Sequence, residues 1–152
     1  MDRALVVVDD SEAHRDLLRE AGELASGVGA DLVLLSMMTE EEFDESYEAI
    51  EKIADIEQTK YDRSTVVEGA EQAARNVAKD VLEGMDVEYE AVGAVVEEGA
   101  FADRVLRTSE EYDCDHVFIT GRRRSPTGKA IFGDTAQAVI LNFDGPVTVI
   151  TA

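Results

Sequence analysis

Residues 4–8 read ALVVV, an uninterrupted apolar run with Asp2 and Arg3 on one side and Asp9 and Asp10 on the other. Such a run, flanked by charge and without polar alternation, predicts a strand covered on both faces of a sheet. Ser11 and Glu12 then open a helix in which Ala13, Leu17, Ala21, Leu24 and Val28 recur at helical spacing, and Gly27 and Gly29 supply the stop. Residues 31–38, DLVLLSMM, form a second buried strand. Strand, helix and strand in so short a stretch leave little topological freedom: the strands pair in parallel and the crossover is right-handed.

The alternation continues. Residues 39–64 are acidic and loosely amphipathic, with Phe43, Tyr47, Ile50 and Ile53 on one side, and are expected to form an exposed helical excursion. Val66 or Val67, Ala70, Ala74, Val77, Val81 and Met85 make a firm helical stripe that closes at Gly84. VEYEAVGAVVE, residues 87–97, predicts a third strand ending near Gly99; Phe101, Val105, Leu106 and Tyr112 mark a short helix, and HVFIT follows Asp115 as a fourth strand. Thr135 to Asn142 predict another short helix, and GPVTVITA a last strand with Pro146 at its start, where a missing N–H does least harm. No linker or repeat divides the chain. The expectation is one domain over residues 1–152, an α/β three-layer sandwich around a five-stranded parallel sheet.

Composition narrows the function classes. The chain has 34 acidic against 14 basic residues, a formal charge of -20. Backbone binding of nucleic acid depends on basic surface, so DNA and RNA are excluded as partners. Self-repulsion of this size opposes a compact state at low ionic strength, whereas at about 1 M salt the Debye length falls to about 3 Å; a halophile is the expected source. The only cysteine, Cys114, excludes an intrachain disulfide, a thiol redox pair and a cysteine-based metal cluster. No segment approaches the roughly 18 apolar residues of a membrane span, and a cytoplasmic location is expected.

Open parallel sheets bind ligands outside the carboxyl ends of their strands, where strand order reverses. That edge collects Asp9 and Asp10 after the first strand, Met37 at the end of the second, Gly99 after the third, and Gly121 with Arg122, Arg123 and Arg124 after the fourth. Those three arginines and Lys129 gather four of the 14 basic residues into eight positions. Planar guanidiniums, backbone N–H groups of a glycine loop and the N-terminus of the helix after Gly133 all suit a phosphate. The arginines could equally pair with nearby carboxylates. A Walker loop is absent, because six residues separate Gly121 from Gly128 and Ala130 follows Lys129, and DDSEAH after the first strand is not a dinucleotide fingerprint. His14 and His116 have no metal-ligand spacing and read as structural or solvated; Ser11 has no evident base, and Cys114 sits between two aspartates. No catalytic constellation emerges, and the chain is not expected to be an enzyme.

ALVVVDDSE at the start, EEGAFADRVLRTSEEYDCDHVFITG in the middle and GRRRSPTGKAIFGDTAQAVILNFDGPVTVI at the end resemble the universal stress protein family, in its haloarchaeal type. The resemblance implies an adenine nucleotide alpha hydrolase-like fold with strand order 3-2-1-4-5, a stress-response role, an ATP or AMP ligand with Mg2+ if ATP, and a homodimer through the last strand, Val147 to Thr151. It puts Asp9 near ribose and adenine, Met37 beside adenine, Gly99 beside the ribose, and Gly121, Arg122, Arg123, Arg124, Gly133, Asp134 and Thr135 around the phosphates.

The ATP-binding signature of that family, Gly-x2-Gly-x9-Gly-Ser/Thr, is only partly present. Gly121 and Gly133 match its first and third glycines; Arg124 stands at the second, the spacer is eight residues, and Asp134 replaces Ser or Thr. As helix N-cap, Asp134 would occupy the N–H groups a phosphate needs, and a like-charge contact at about 4 Å costs about 4 kcal/mol at an effective dielectric of about 20. Two readings therefore stay open: a stress-response module that binds nucleotide, and a dimeric signalling module that uses the arginine loop for salt bridges. An adenylate-forming enzyme, the third, lacks a glycine-rich loop after the first strand.

Overall fold

The computed structural model describes residues 1–45, 63–122 and 132–151. Five strands, β1 (Arg3–Val7), β2 (Asp31–Thr39), β3 (Tyr89–Val96), β4 (His116–Gly121) and β5 (Val147–Thr151), alternate with four long helices, α1 (Glu12–Val28), α2 (Arg63–Val81), α3 (Phe101–Glu111) and α4 (Asp134–Asn142). The sheet order is β3-β2-β1-β4-β5 and every pairing is parallel, with Leu5 opposite both Val33 and Val117. This is the expected α/β class and strand order, with most boundaries displaced by a residue or two and α2 ending at Val81, short of the expected Gly84. Residues 40–45 are helical; the rest of the expected acidic excursion, up to residue 62, lies outside the described residues, as do Arg123, Arg124 and Lys129.

Alternation along the central strands divides the core into two layers. Ala4, Val6, Val8, Leu32, Leu34 and Phe118 point to α1 and α2, while Leu5, Leu35, Val117 and Ile119 point to α3 and α4. Both faces are dry, which is why β1 reads as a continuous apolar run. Of the alternatives left open for α2, Val66 is the buried residue, at 4% exposure.

The face of α1 differs from the expected one. Leu17 and Ala21 are buried with Leu18 and Ala25, but Leu24 and Val28 face solvent, at 43% and 62% exposure. The stripe turns because Gly22 meets the turn that follows α2 directly: a Cβ there would lie 2.4 Å from Leu82 Cδ2 and 2.8 Å from Met85 Sδ. Gly29 alone ends the helix, in the left-handed conformation (φ 74°), and Gly27 lies inside it.

At the amino edge of the sheet, Asp115 accepts hydrogen bonds from the backbone N–H groups of Asp2 and Arg3, which lower its pKa. His116 Nε2 lies 2.8 Å from Thr148 Oγ1, and its ring stacks on Phe118 with centroids 4.6 Å apart. Burial pushes the Cys114 thiol up to about 11, so it is no thiolate nucleophile at neutral pH.

Candidate functional site

The carboxyl edge is built from the end of β1 outward. Val8 N–H donates to Leu35 C=O at 3.0 Å, the last ladder bond before the chain leaves the sheet. Asp9 then turns the chain by accepting the Ser11 N–H on Oδ1 at 2.7 Å. Ser11 caps α1, its Oγ accepting the His14 N–H at 3.3 Å. His14 is thus the third residue of the helix, and its side chain folds back over the cap: Nδ1 lies 3.1 Å from Asp9 Oδ1 and 2.9 Å from Ser11 Oγ. The other ring nitrogen, Nε2, reaches Thr120 Oγ1 at 3.3 Å, at the end of β4. The imidazole therefore bridges β1 and β4, the two strands between which the sheet changes direction.

A cleft of about 260 Å³ opens at this point. Val7, Met37, Phe101 and Ile119 supply its apolar walls, and Asp9, His14, Thr120 and Thr135 its polar ones. Burial lowers the His14 pKa, with the Asp9 carboxylate opposing that shift. A larger hollow of about 490 Å³ between α1 and α2 shares Asp9 but is bridged by the Arg15–Asp80 ion pair at 2.7 Å. Another, of about 450 Å³, surrounds Cys114 and Phe143. Of these three hollows among the described residues, the 260 Å³ cleft is the one that spans β1 and β4, the crevice at which doubly wound sheets take their ligands.

The structure brings Asp9, Met37 and Thr135 together in the lining of this cleft. Gly121, Arg122, Gly133 and Asp134 stand beside it, at the end of β4 and the start of α4. Arg122 N–H donates to Phe132 C=O at 3.1 Å, so the two ends of the segment between them are tied. Gly121 is needed for that approach: a Cβ there would lie 3.0 Å from the Phe132 oxygen and 3.0 Å from Val149 Cγ1. Gly99 (φ 87°) is exposed in the turn before α3 and does not line the cleft, although Phe101 does.

Asp134 requires a correction. The N-cap of α4 is Gly133 (φ 85°, ψ 161°), which has no side chain to offer, and Asp134 is the first helical residue and is exposed. The physical reason is local: the αL-side φ at the cap suits glycine and not aspartate. The Asp134 carboxylate therefore does not occupy the first N–H groups of α4 as a cap, and at an exposed position its repulsion falls towards the about 1 kcal/mol of two charges about 4 Å apart in water.

His14 and Thr120 are the polar groups that sequence reasoning passed over. A signal for His14 existed: it stands three residues after the helix cap Ser11, the spacing at which a side chain folds back on the cap. Thr120 carried none, since it reads simply as the last residue of a buried strand.

Fold and cleft together define a doubly wound α/β protein with an open crevice at its switch point. The universal stress protein family model matches residues 1–151, and the chain belongs to that family. A universal stress protein from Archaeoglobus fulgidus is similar in structure, with 24% identity and a TM-score of 0.61 over 99% of this chain and 98% of that one. A universal stress protein in complex with cAMP has 14% identity and a TM-score of 0.63, covering 99% and 96%. The Archaeoglobus fulgidus protein in complex with dAMP has 20% identity and a TM-score of 0.55, covering 99% and 98%. No curated protein matches the sequence. At these identities the structural likeness is one of fold.

Proposed function

We propose that this chain is a stress-response protein that acts by binding an adenine nucleotide, AMP or ATP, in the switch-point cleft. The observation that carries this reading is the convergence of Asp9, Met37 and Thr135, from three separate segments, on one cleft between β1 and β4. Two family relatives have been crystallised with cAMP and with dAMP, which supports the same ligand class here. The cleft lies just below the roughly 300–1,000 Å³ of small-molecule pockets: it suits a base or a sugar, with the phosphates outside it. There Arg122 and the start of α4, capped only by Gly133, supply positive charge and N–H donors. Arg123 and Arg124 add to that charge in sequence.

The described residues include no cluster of three or more side chains able to hold a metal. Mg2+ would therefore arrive with ATP, held chiefly by its phosphates and by water, with Asp134 as the nearby carboxylate. The uncapped N–H groups of α4 and the exposed Asp134 fit that arrangement better than a capping carboxylate would.

In the same reading the chain forms one unit and works as a homodimer in a salt-rich cytoplasm. β5 is the sheet edge, its residues are only half-buried, and Val147, Val149 and Ile150 give it an apolar strand to pair. Among the described residues no helix is long and apolar enough to cross a membrane.

Calorimetric titration of AMP, ADP and ATP, with and without Mg2+, in about 1–2 M KCl tests the reading; there the Debye length is about 3 Å or less. Binding that is lost when Arg122, Arg123 and Arg124 are replaced by alanine is the expected result. Absence of heat and of any thermal shift at millimolar nucleotide, with the triple variant failing to dimerise, would establish the salt-bridge role of the loop instead.

A further inference from the structure

We propose that His14 is the positioning residue of the cleft: by holding Asp9 through Nδ1 and Thr120 through Nε2, it keeps the polar wall made of hydrogen-bond acceptors and so selects a ligand that donates there. The inference deepens the nucleotide reading and rests on it for the ligand, but its geometric part stands alone.

The tautomer follows from the neighbours. Asp9 Oδ1, a carboxylate oxygen, can only accept, so the ring nitrogen 3.1 Å away must carry the proton. Ser11 Oγ, 2.9 Å from the same nitrogen, accepts the His14 backbone N–H; were its hydroxyl to donate to a bare Nδ1, that lone pair would face the Asp9 Oδ1 lone pairs at 3.1 Å, which the Nδ1–H form avoids. With the proton on Nδ1, Nε2 is a bare lone pair, and the Thr120 hydroxyl 3.3 Å away donates its hydrogen to it. Thr120 is then left with oxygen lone pairs only. Asp9 makes both of its bonds through Oδ1, and its second oxygen has no partner among the described residues. The wall at Asp9 and Thr120 therefore offers acceptors and no donors.

Protonation reverses this. Imidazolium Nε2 becomes a donor to Thr120 Oγ1, and the hydroxyl hydrogen must turn elsewhere, into the cleft. Asp9 is the charged group facing His14; β4 presents Thr120, α4 Thr135, β2 Met37 and α3 Phe101, none of which titrates in this range. Burial lowers the pKa of His14, so the acceptor wall is intact at neutral pH and is lost on acidification below about 6.5. A ligand with donors, ribose hydroxyls or the exocyclic amine of adenine, matches the neutral state.

Two measurements decide the matter. Nitrogen NMR of the ligand-free protein in about 1–2 M KCl should find His14 as the Nδ1–H tautomer, titrating below the ordinary histidine value; the Nε2–H tautomer, or an ordinary titration, overturns the proposal whether or not any nucleotide binds. In parallel, AMP, dAMP and IMP are titrated into the wild type and His14→Gln between about pH 7.5 and about pH 5, with circular dichroism confirming that the variant is folded. AMP should bind the wild type about tenfold more tightly than whichever analogue lacks the recognised donor, the value of one hydrogen bond: dAMP identifies a ribose hydroxyl and IMP the amine. That preference should vanish on acidification and in His14→Gln. A preference unchanged by pH and by the substitution overturns the proposal while leaving nucleotide binding in place. If no nucleotide binds at any pH, the nucleotide reading fails, and the tautomer alone decides whether His14 holds the wall.

Discussion

The two histidines occupy opposite edges of one sheet. His116 begins β4, pairs with Thr148 of the neighbouring strand and stacks on Phe118; His14 leaves α1 to meet Asp9 and, at the far end of β4, Thr120. Each has its pKa lowered chiefly by burial and has a threonine hydroxyl at Nε2. What differs is what surrounds the pair. At the amino edge the ring is an extension of the core, whereas at the carboxyl edge the same contact borders an open cleft. A histidine–threonine pair acquires a function from the edge on which it stands, because in a parallel sheet only the carboxyl edge is left open by the loops.

Substitutions can separate the edges, and the largest effect is expected in the core between them. Phe118→Ala removes the fully buried side chain beneath the His116 stack and should cost about 3–5 kcal/mol of stability, read from denaturant unfolding in high salt. His116→Ala should lose about 1–2 kcal/mol through the stack and the Thr148 bond, with nucleotide affinity changed less than about twofold; a large affinity loss would erase the distinction between the edges. Gly121→Ala should cost about 1–3 kcal/mol, because its Cβ must displace Phe132 C=O or Val149.

Acidification acts on both edges together. With folded pKa values below 6.5 for His14 and His116, the unfolded chain binds more protons at mildly acid pH, so stability rises with pH and is lost as pH falls below about 6.5. Thermal melts across that range should show the loss, and His14→Gln with His116→Gln should flatten it. Asp115, whose pKa is lowered by the Asp2 and Arg3 N–H groups, contributes at more acid pH, where its stabilisation disappears as pH falls through its folded value. The smallest effect is at Cys114: with its thiol raised to about 11, alkylation near pH 8 should run well over tenfold slower than for a free thiol.

Much of this fold was legible because burial on both faces removes ambiguity from the central strands. Residues 4–8 and 32–35 carry no polar residue that would suggest an exposed face, and the expected strands fall within a residue of β1 and β2. Helix faces were less legible. Leu24 and Val28 fit the expected stripe of α1 but lie on solvent, since the position of the partner helix, not periodicity alone, decides which of two overlapping stripes is covered. Asp134 departs from expectation for a different reason: aspartate is a good cap in general, but the cap falls one residue earlier, where the backbone adopts a positive φ that glycine tolerates. His14 is legible only in part: Asp9 and Ser11 are its neighbours in sequence, but Thr120, which completes the bridge, is 106 positions away and is brought by the fold.

The hydrogen bond from Arg122 N–H to Phe132 C=O has an evolutionary consequence. It fastens Arg122, just past β4, to Phe132, just before α4, so the two elements are tied at the sheet edge by the backbone itself. A closed frame of this kind lets the sequence between Arg122 and Phe132 vary while both flanking residues keep their places.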